Sequence, residues 1–211
     1  MIRILLVRHG ESEWNAAGRW QGHADPPLTE LGFRQAKHAG AAIGAVDAVV
    51  ASDLQRAQVT AEVIAAQIGV GPVEVDPDLR ERDAGEWQGL TREQIHEQWP
   101  GYLPDDPVHR RGGDARSMRR PPGYEADDVL VERARRALLR IAGRVGQGDV
   151  VAVTHGGVIH ALEQHLGVTE WVRIPNLGAR WVAVDGTKVT LGERLVLVDT
   201  DELTDQPADQ L

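Results

Sequence analysis

Short apolar runs alternate along this chain with segments whose apolar residues recur every three or four positions. Ile2 to Val7 is apolar apart from Arg3, the pattern of a strand covered on both faces. A loop punctuated by Gly, Trp and Pro runs to Pro27. Thr29 can then cap a helix with Phe33, Ala36, Gly40 and Ile43 on one side. Asp47 to Ala51 predicts a second strand. Ser52 or Asp53 would cap the helix after it, in which Ala57, Ala61, Ile64 and Ile68 form a stripe and Gly69 is placed to end it. Val73 to Val75 is a short third strand. Val131, Ala134, Leu138, Ile141 and Val145 mark the clearest amphipathic helix, with Gly148 beyond it. Val150 to Val153 is again a wholly apolar strand, followed by THGG and a helix with Ile159, Leu162 and Leu166 inward and Gly167 at its end.

Strand and helix in alternation imply parallel pairing, right-handed crossovers and helices on both faces of a sheet. The expected fold class is α/β: a three-layer α/β/α sandwich with a mostly parallel central sheet. Antiparallel edge strands would come from Trp181 to Asp185 and Val189 to Val198, around turns at Asp185-Gly186 and Gly192-Glu193. With 211 residues, a fold should remove roughly 70% of the extended chain's surface from water, so one core is sufficient without cross-links. We expect a single domain over 1–211, with an irregular, lid-like insertion at 100–124 rich in Pro, Gly and Arg, and a frayed acidic tail at 199–211.

Charge and composition narrow the function. The chain holds 32 Asp and Glu against 23 Lys and Arg, a formal charge of −9, which disfavours a sequence-independent nucleic-acid binder. There are no cysteines, which excludes a disulfide framework, a thiolate metal site and a thiol nucleophile. The first apolar run is too short for a signal peptide, and charged residues interrupt every apolar stretch before about 18 residues. The expectation is a cytoplasmic protein with no membrane partner; a homodimer is left open.

Three features then coincide. Arg8-His9 directly follows the first strand, Arg56 stands in the first turn of the helix after the second, and His155-Gly156 directly follows the last buried strand. In an open parallel sheet the carboxyl ends of the strands form the ligand crevice, so these side chains should converge although far apart in sequence. A lone histidine after a strand is most often structural, and a lone arginine most often a surface ion-pair partner. Their joint placement is what points to a pocket for a doubly charged anion, most naturally a phosphate group.

RHGESEWN, the PLTELGFRQA run, SDLQRAQVTAEVI, LRERDAGEWQGLT and VVAVTHGG together resemble the histidine phosphatase superfamily, also called phosphoglycerate mutase-like, over roughly 2–100 and 148–166. The resemblance implies that His9 is the nucleophile, forming a phosphohistidine. Arg8, Arg56 and His155 would surround the phosphoryl oxygens, with Asn15 and the Gly156 amide as further donors. Glu81 would be the general acid and then the base that activates water. The chemistry it implies would be metal-independent and without cofactor. It would make the chain a phosphomonoester phosphatase of a small phosphorylated metabolite, a sugar phosphate or phosphoglycerate type. The alternatives are a cofactor-dependent phosphoglycerate mutase and, from another class, a phosphate-sensing or protein-binding pseudoenzyme. The shorter chain favours the phosphatase.

The physical requirements agree. Without a metal, fixed cations must balance charge on the equatorial oxygens of the transition state, and imidazole attacks only when neutral, a state that nearby arginines favour. A carboxylic acid must be protonated to donate; Arg80 and Arg82 flank Glu81 and oppose this unless they point away, and Asp83 and Glu86 are alternatives in the same segment. Pro122-Gly123-Tyr124-Glu125-Ala126 departs from the family's Pro-Gly-Gly-Glu-Ser, which leaves the leaving-group side open. Arg110, Arg111, Arg116, Arg119 and Arg120 form a positive run that is either a substrate-recruiting lid or a solvated loop. Trp14, Trp20, Trp87 and Trp99 either roof the crevice or pack beneath the insertion. His23, His160 and His165 lack metal-ligand spacing.

Overall fold

The computed structural model describes residues 1–103 and 119–198. Its elements follow in the order β1 (Ile2–Arg8), α1 (Glu13–Ala16), α2 (Glu30–Ala42), β2 (Ala48–Ala51), α3 (Gln55–Ile68), β3 (Glu74–Val75), α4 (Arg92–Gln98), α5 (Asp127–Val145), β4 (Gly148–Thr154), α6 (Gly156–His165), β5 (Gly178–Asp185) and β6 (Lys188–Val196). The six strands form one sheet in the order β3-β2-β4-β1-β5-β6. The first four are mutually parallel, and β5 and β6 are antiparallel.

Both faces of the central strands are covered, which is why their sequences are almost wholly apolar. Ile4, Leu6, Val150 and Ala152 pack with Leu138 and Ile141 of α5 and Ile159 and Leu162 of α6. The alternate residues Leu5, Val7, Val151 and Val153 pack with Ala39 of α2 and Ala57, Ala61 and Ile64 of α3. This is the expected α/β/α sandwich. No described helix is long and apolar enough to cross a membrane.

Register is what matters for the site. Arg8 on β1 pairs with Thr154 on β4, and Val153 on β4 pairs with Ala51 on β2. Three adjacent parallel strands therefore end nearly level, and His9, His155 and Ser52 leave the sheet side by side.

Several local expectations hold. Thr29 Oγ1 accepts from the Gly32 N–H, and Gly69 ends α3 in the left-handed region (φ 71°), its N–H on the Ala65 carbonyl.

Four do not hold. Phe33 faces solvent at 42% exposure. The buried face of α2 is Gly32, Gln35, Ala36, Ala39 and Gly40, because α2 presses on the backbone after β1 too closely for a large side chain: a Cβ on Gly32 would stand 2.1 Å from the Glu11 carbonyl oxygen. Neither Ser52 nor Asp53 caps α3. Leu54 is the N-cap, without a side-chain bond, and the Gln55 N–H donates to Asp25 Oδ1 at 2.8 Å, so the cap comes from a distant loop. Gly192-Glu193 is not a turn but lies inside β6, where pairing slips opposite Arg180 to Val182. A Cβ at Gly192 would meet that of Trp181 at 2.8 Å. β5 is interior, which leaves β6 as the antiparallel edge.

α4 was not expected; its signal is a capping box in which Thr91 takes the Gln94 N–H and Gln94 takes the Thr91 N–H. Most of the expected lid, Arg110, Arg111 and Arg116 included, and the tail at 199–211 lie outside the described residues. Of the remaining arginines of that run, Arg119 lies over the Tyr102 ring and Arg120 over the Tyr124 ring.

Candidate active site

The pocket is assembled from strand ends. His9 follows β1 with its N–H on the Thr154 carbonyl, and His155 is the N-cap residue of α6. The two rings meet edge to face, centroids 5.1 Å apart. Both are buried, at 2% and 0% exposure. His9 Nδ1 stands 2.6 Å from the Gly10 carbonyl. A carbonyl can only accept, so the ring proton sits on Nδ1 and Nε2 keeps its lone pair. Arg56 Nε points at that lone pair from 3.3 Å.

Arg56 is fully buried and fixed by backbone. Its Nη1 donates to Ala24 O at 2.6 Å and its Nη2 to Gly22 O at 2.9 Å. Thr60, one turn on, takes the Gly10 N–H at 3.1 Å, so α3 anchors both the arginine and the turn that carries His9. Gly10 itself allows α2 to come close, since a Cβ there would lie 2.6 Å from the Gly32 carbonyl oxygen. Arg8 donates from Nη1 to Ile174 O at 2.7 Å.

These cations sit in poor solvent. Burial, reinforced by Arg56 and Arg8, drives the His9 pKa well below its ordinary value. Burial together with Arg56, His9, Arg133 and Arg8 does the same to His155. Burial also lowers Arg8 and Arg56 to about 10, against the opposing attraction of Glu81. At neutral pH the pocket thus holds two charged guanidiniums and two neutral imidazoles. His155 Nε2 is 2.9 Å from Ser52 Oγ, while its Nδ1 is buried without a partner among the described residues.

Glu81 reaches the pocket from the segment between β3 and α4. Its Oε1 accepts the Arg82 N–H at 2.7 Å and its Oε2 the Gly157 N–H at 3.1 Å, in the first turn of α6. The absence of a side chain at Gly157 leaves room for this carboxylate, since a Cβ there would stand 2.1 Å from Glu81 Oε1. The flanking arginines point away: Arg80 forms a fork with Asp53, and Arg82 pairs with Asp127 and lies over Tyr124. Gly156 starts α6, where an added Cβ would meet Arg8 Cδ at 3.6 Å. Asn15 lies in the capping box of α1; its Oδ1 takes the Ser12 N–H and the Asn176 Nδ2, leaving its amide nitrogen as the end suited to donate.

The expected site residues are therefore brought together, and three others join them. Ser52, read as a helix cap, instead orients His155. Thr60 steadies Gly10. Asn176 donates to His9 O at 2.9 Å, followed by Leu177 with φ 55° and its N–H on Arg8 O. Ser52 was within reach of sequence reasoning, as a polar residue at a parallel strand's carboxyl end; Asn176 sits in an irregular segment that carries no such signal.

Of the tryptophans, Trp87 is fully buried edge to face with Trp20 and Tyr124, and Trp20 and Trp99 pack on Ala84, Ile95 and Leu103. These three are packing residues rather than a roof. His23 Nε2 bonds Glu81 O at 2.8 Å, and His160 stacks on Trp171 beside Glu163.

A profile of the Histidine phosphatase superfamily (branch 1) matches residues 4–193. The chain belongs to the histidine phosphatase superfamily. It is 38% identical over 173 residues to a metal-independent phosphoserine phosphatase of Arabidopsis thaliana, covering 81% of this chain and 70% of the relative. It is 35% identical over 173 residues to a 2,3-bisphosphoglycerate-dependent phosphoglycerate mutase of Parvibaculum lavamentivorans, covering 77% and 79%. A mycobacterial glucosyl-3-phosphoglycerate phosphatase solved with VO3 superposes with a TM-score of 0.77 at 30% identity, covering 90% of this chain and 97% of that one. Phosphatases and a mutase thus stand among its relatives.

Proposed function

We propose that this histidine phosphatase hydrolyses phosphomonoesters through a phosphohistidine on His9, with Glu81 as acid and base. The observation that carries the reading is the state of His9: a buried imidazole held neutral by its surroundings, with Nδ1–H committed to Gly10 and a bare Nε2 facing a fixed guanidinium. Nε2 attacks phosphorus, the N–P bond forms, and the ester P–O bond breaks as Glu81 gives its proton to the leaving oxygen. Water then attacks phosphorus, losing a proton to Glu81, and the N–P bond breaks to release inorganic phosphate.

Arg8 and Arg56 balance the charge on the equatorial oxygens. Ser52 Oγ already accepts the Leu54 N–H, so its own proton can go to His155 Nε2, leaving Nδ1–H as a neutral donor to the phosphoryl group. Asn15 and the Gly156 amide complete the set. The reading takes residues 1–211 as one domain in a cytoplasmic setting, with a sugar phosphate or phosphoglycerate-type metabolite as partner and neither nucleic acid nor membrane.

The test is rapid-quench labelling with a phosphate-labelled ester across a panel of sugar phosphates and phosphoglycerates. Acid-labile, base-stable label should appear on the wild type and not on His9→Ala, with inorganic phosphate as the main product. Label retained by the substituted protein would remove His9 from the mechanism. Transfer to a product hydroxyl exceeding phosphate release would favour the mutase, and tight anion binding without turnover the pseudoenzyme.

A further inference from the structure

Behind Glu81 lies a buried ion pair that the reaction does not use. Arg133, on the inner face of α5, is 8% exposed. Its Nε and Nη2 donate to the two carboxylate oxygens of Glu125 at 2.6 and 2.7 Å. Its Nη1 donates to the carbonyls of Asp78 and Arg80 at 3.0 and 2.6 Å, and its Nη2 also to the carbonyl of Glu81 at 2.9 Å. All five N–H donors of the guanidinium are engaged. Glu125 grips the same segment from its other end: Oε2 takes the Asp83 N–H at 3.2 Å, its N–H meets Asp83 O at 3.0 Å, and its carbonyl takes Arg82 Nη1 at 2.8 Å.

Three carbonyls turned toward one point repel one another unless a cation lies among them. That cation adds to the 3-10 turn at Pro77–Leu79, which Asp76 caps, in keeping residues 78–81 curled as they are. Leu79 O is meanwhile tied to Thr154 Oγ1 at 2.7 Å, and Glu81 O takes a second bond from His23. The segment is thus cast against α5 on one side and the end of β4 on the other. A buried ion pair adds little net stability compared with apolar residues of the same volume, so a purely stabilising role would be met as well by a hydrocarbon contact. A lysine, with three donors, could not serve the three carbonyls and both oxygens of Glu125 at once, and a hydrocarbon could serve none of them.

We propose that the Arg133–Glu125 pair is the positioning device of the leaving-group acid: by holding the carbonyls of residues 78, 80 and 81 it sets where the Glu81 carboxylate stands against Gly157, without touching substrate. This rests on the acid role assigned to Glu81. Misplacement of a reacting group by about 1 Å can cost around a hundredfold in rate, and the loss should fall on substrates that need the acid.

The experiment compares alkyl phosphates with activated aryl phosphates for Arg133→Lys, Glu125→Gln and His23→Phe, with Glu81→Gln alongside and vanadate inhibition as the probe of the phosphate pocket. Arg133→Lys and Glu125→Gln should lose roughly ten- to a hundredfold in kcat on alkyl esters, with much smaller losses on aryl esters and unchanged vanadate inhibition. His23→Phe, which removes a single donor at a half-exposed position, should show the same split more weakly. If Arg133→Lys does not fold, the other two variants carry the comparison. Equal losses on both ester classes, or weakened vanadate inhibition, would make the pair a structural support and overturn the proposal. Should Glu81→Gln split the esters while the pair's variants do not, positioning alone is wrong. If Glu81→Gln itself produces no split, the acid assignment fails and the positioning proposal with it.

Discussion

The two halves of the proposed active site are built differently. The phosphate half, Arg8, His9, Arg56 and His155, hangs from the ends of parallel strands in fixed register and from the first turn of a helix on the same sheet. The acid half, Glu81 with Arg82 and the aromatic group around Trp87, is carried by an irregular segment whose shape depends on packing against α5 and α6. A phosphoryl group is the same in every phosphomonoester, so a rigid mould for it can be made from the most regular part of the fold. Leaving groups differ, and the part that meets them is made of loops. The comparison predicts that damage to the phosphate half affects every substrate alike, whereas damage to the acid half depends on the leaving group.

The largest effect should come from His9→Ala, with kcat down by about 10⁴-fold or more on alkyl and aryl esters equally, as for loss of a covalent nucleophile. A large residual rate on aryl esters alone would mean that the phosphate half does not act as one unit. Next, Glu81→Gln should lower kcat on alkyl esters by about 10²–10⁴-fold, the usual worth of a general acid, and leave activated aryl phosphates nearly intact. Steady-state kinetics on matched pairs of esters measures the split, and equal losses would move the acid role to Asp83 or Glu86.

The same division explains what could be read from the sequence. Arg8, His9, Arg56 and His155 were legible because strands buried on both faces are long apolar runs, and because residues just past their carboxyl ends must share one edge. The five longer strands and the helix stripe of α5 follow from the same periodicity. Phe33 was misplaced because α2 packs through glycine and alanine, a face that hydrophobicity alone does not reveal. Glu81 could be placed only through motif resemblance: of the two backbone amides that hold its carboxylate, one is that of the adjacent Arg82 and the other that of Gly157, 76 positions away. Ser52 and the cap of α3 were lost for a related reason, since Asp25, distant in sequence, had already taken the capping role. Local chemistry is visible in a sequence, and long-range substitution for it is not.

Gly157→Ala tests this join between the halves more gently. Its Cβ would displace the Glu81 carboxylate from the start of α6 and leave the two histidines and two arginines in place. Turnover of alkyl esters should fall by roughly tenfold, less than for Glu81→Gln, while vanadate inhibition holds. Loss of vanadate inhibition would show that α6 as a whole had shifted, and that the halves are not separable.

The smallest effect is on stability, and it belongs to the phosphate half. His9 and His155 are neutral in the fold, with pKa values well below 6.5 because of burial and the neighbouring arginines. Unfolded, each titrates near 6.5. Above that pH neither state binds the proton and the histidines add no pH dependence. Below it the unfolded chain takes up protons that the folded chain refuses, so stability falls as pH drops, by up to about 1.4 kcal/mol per pH unit for each histidine. Denaturant unfolding between pH 7.5 and 5 should show this slope, and His155→Asn should reduce it by close to one proton. An anion such as vanadate, bound between the arginines, would oppose the charge that excludes the proton and make the slope shallower. A slope untouched by His155→Asn would mean that this imidazole takes up its proton as readily in the fold as in the unfolded chain, and that burial and the arginines do not hold it neutral.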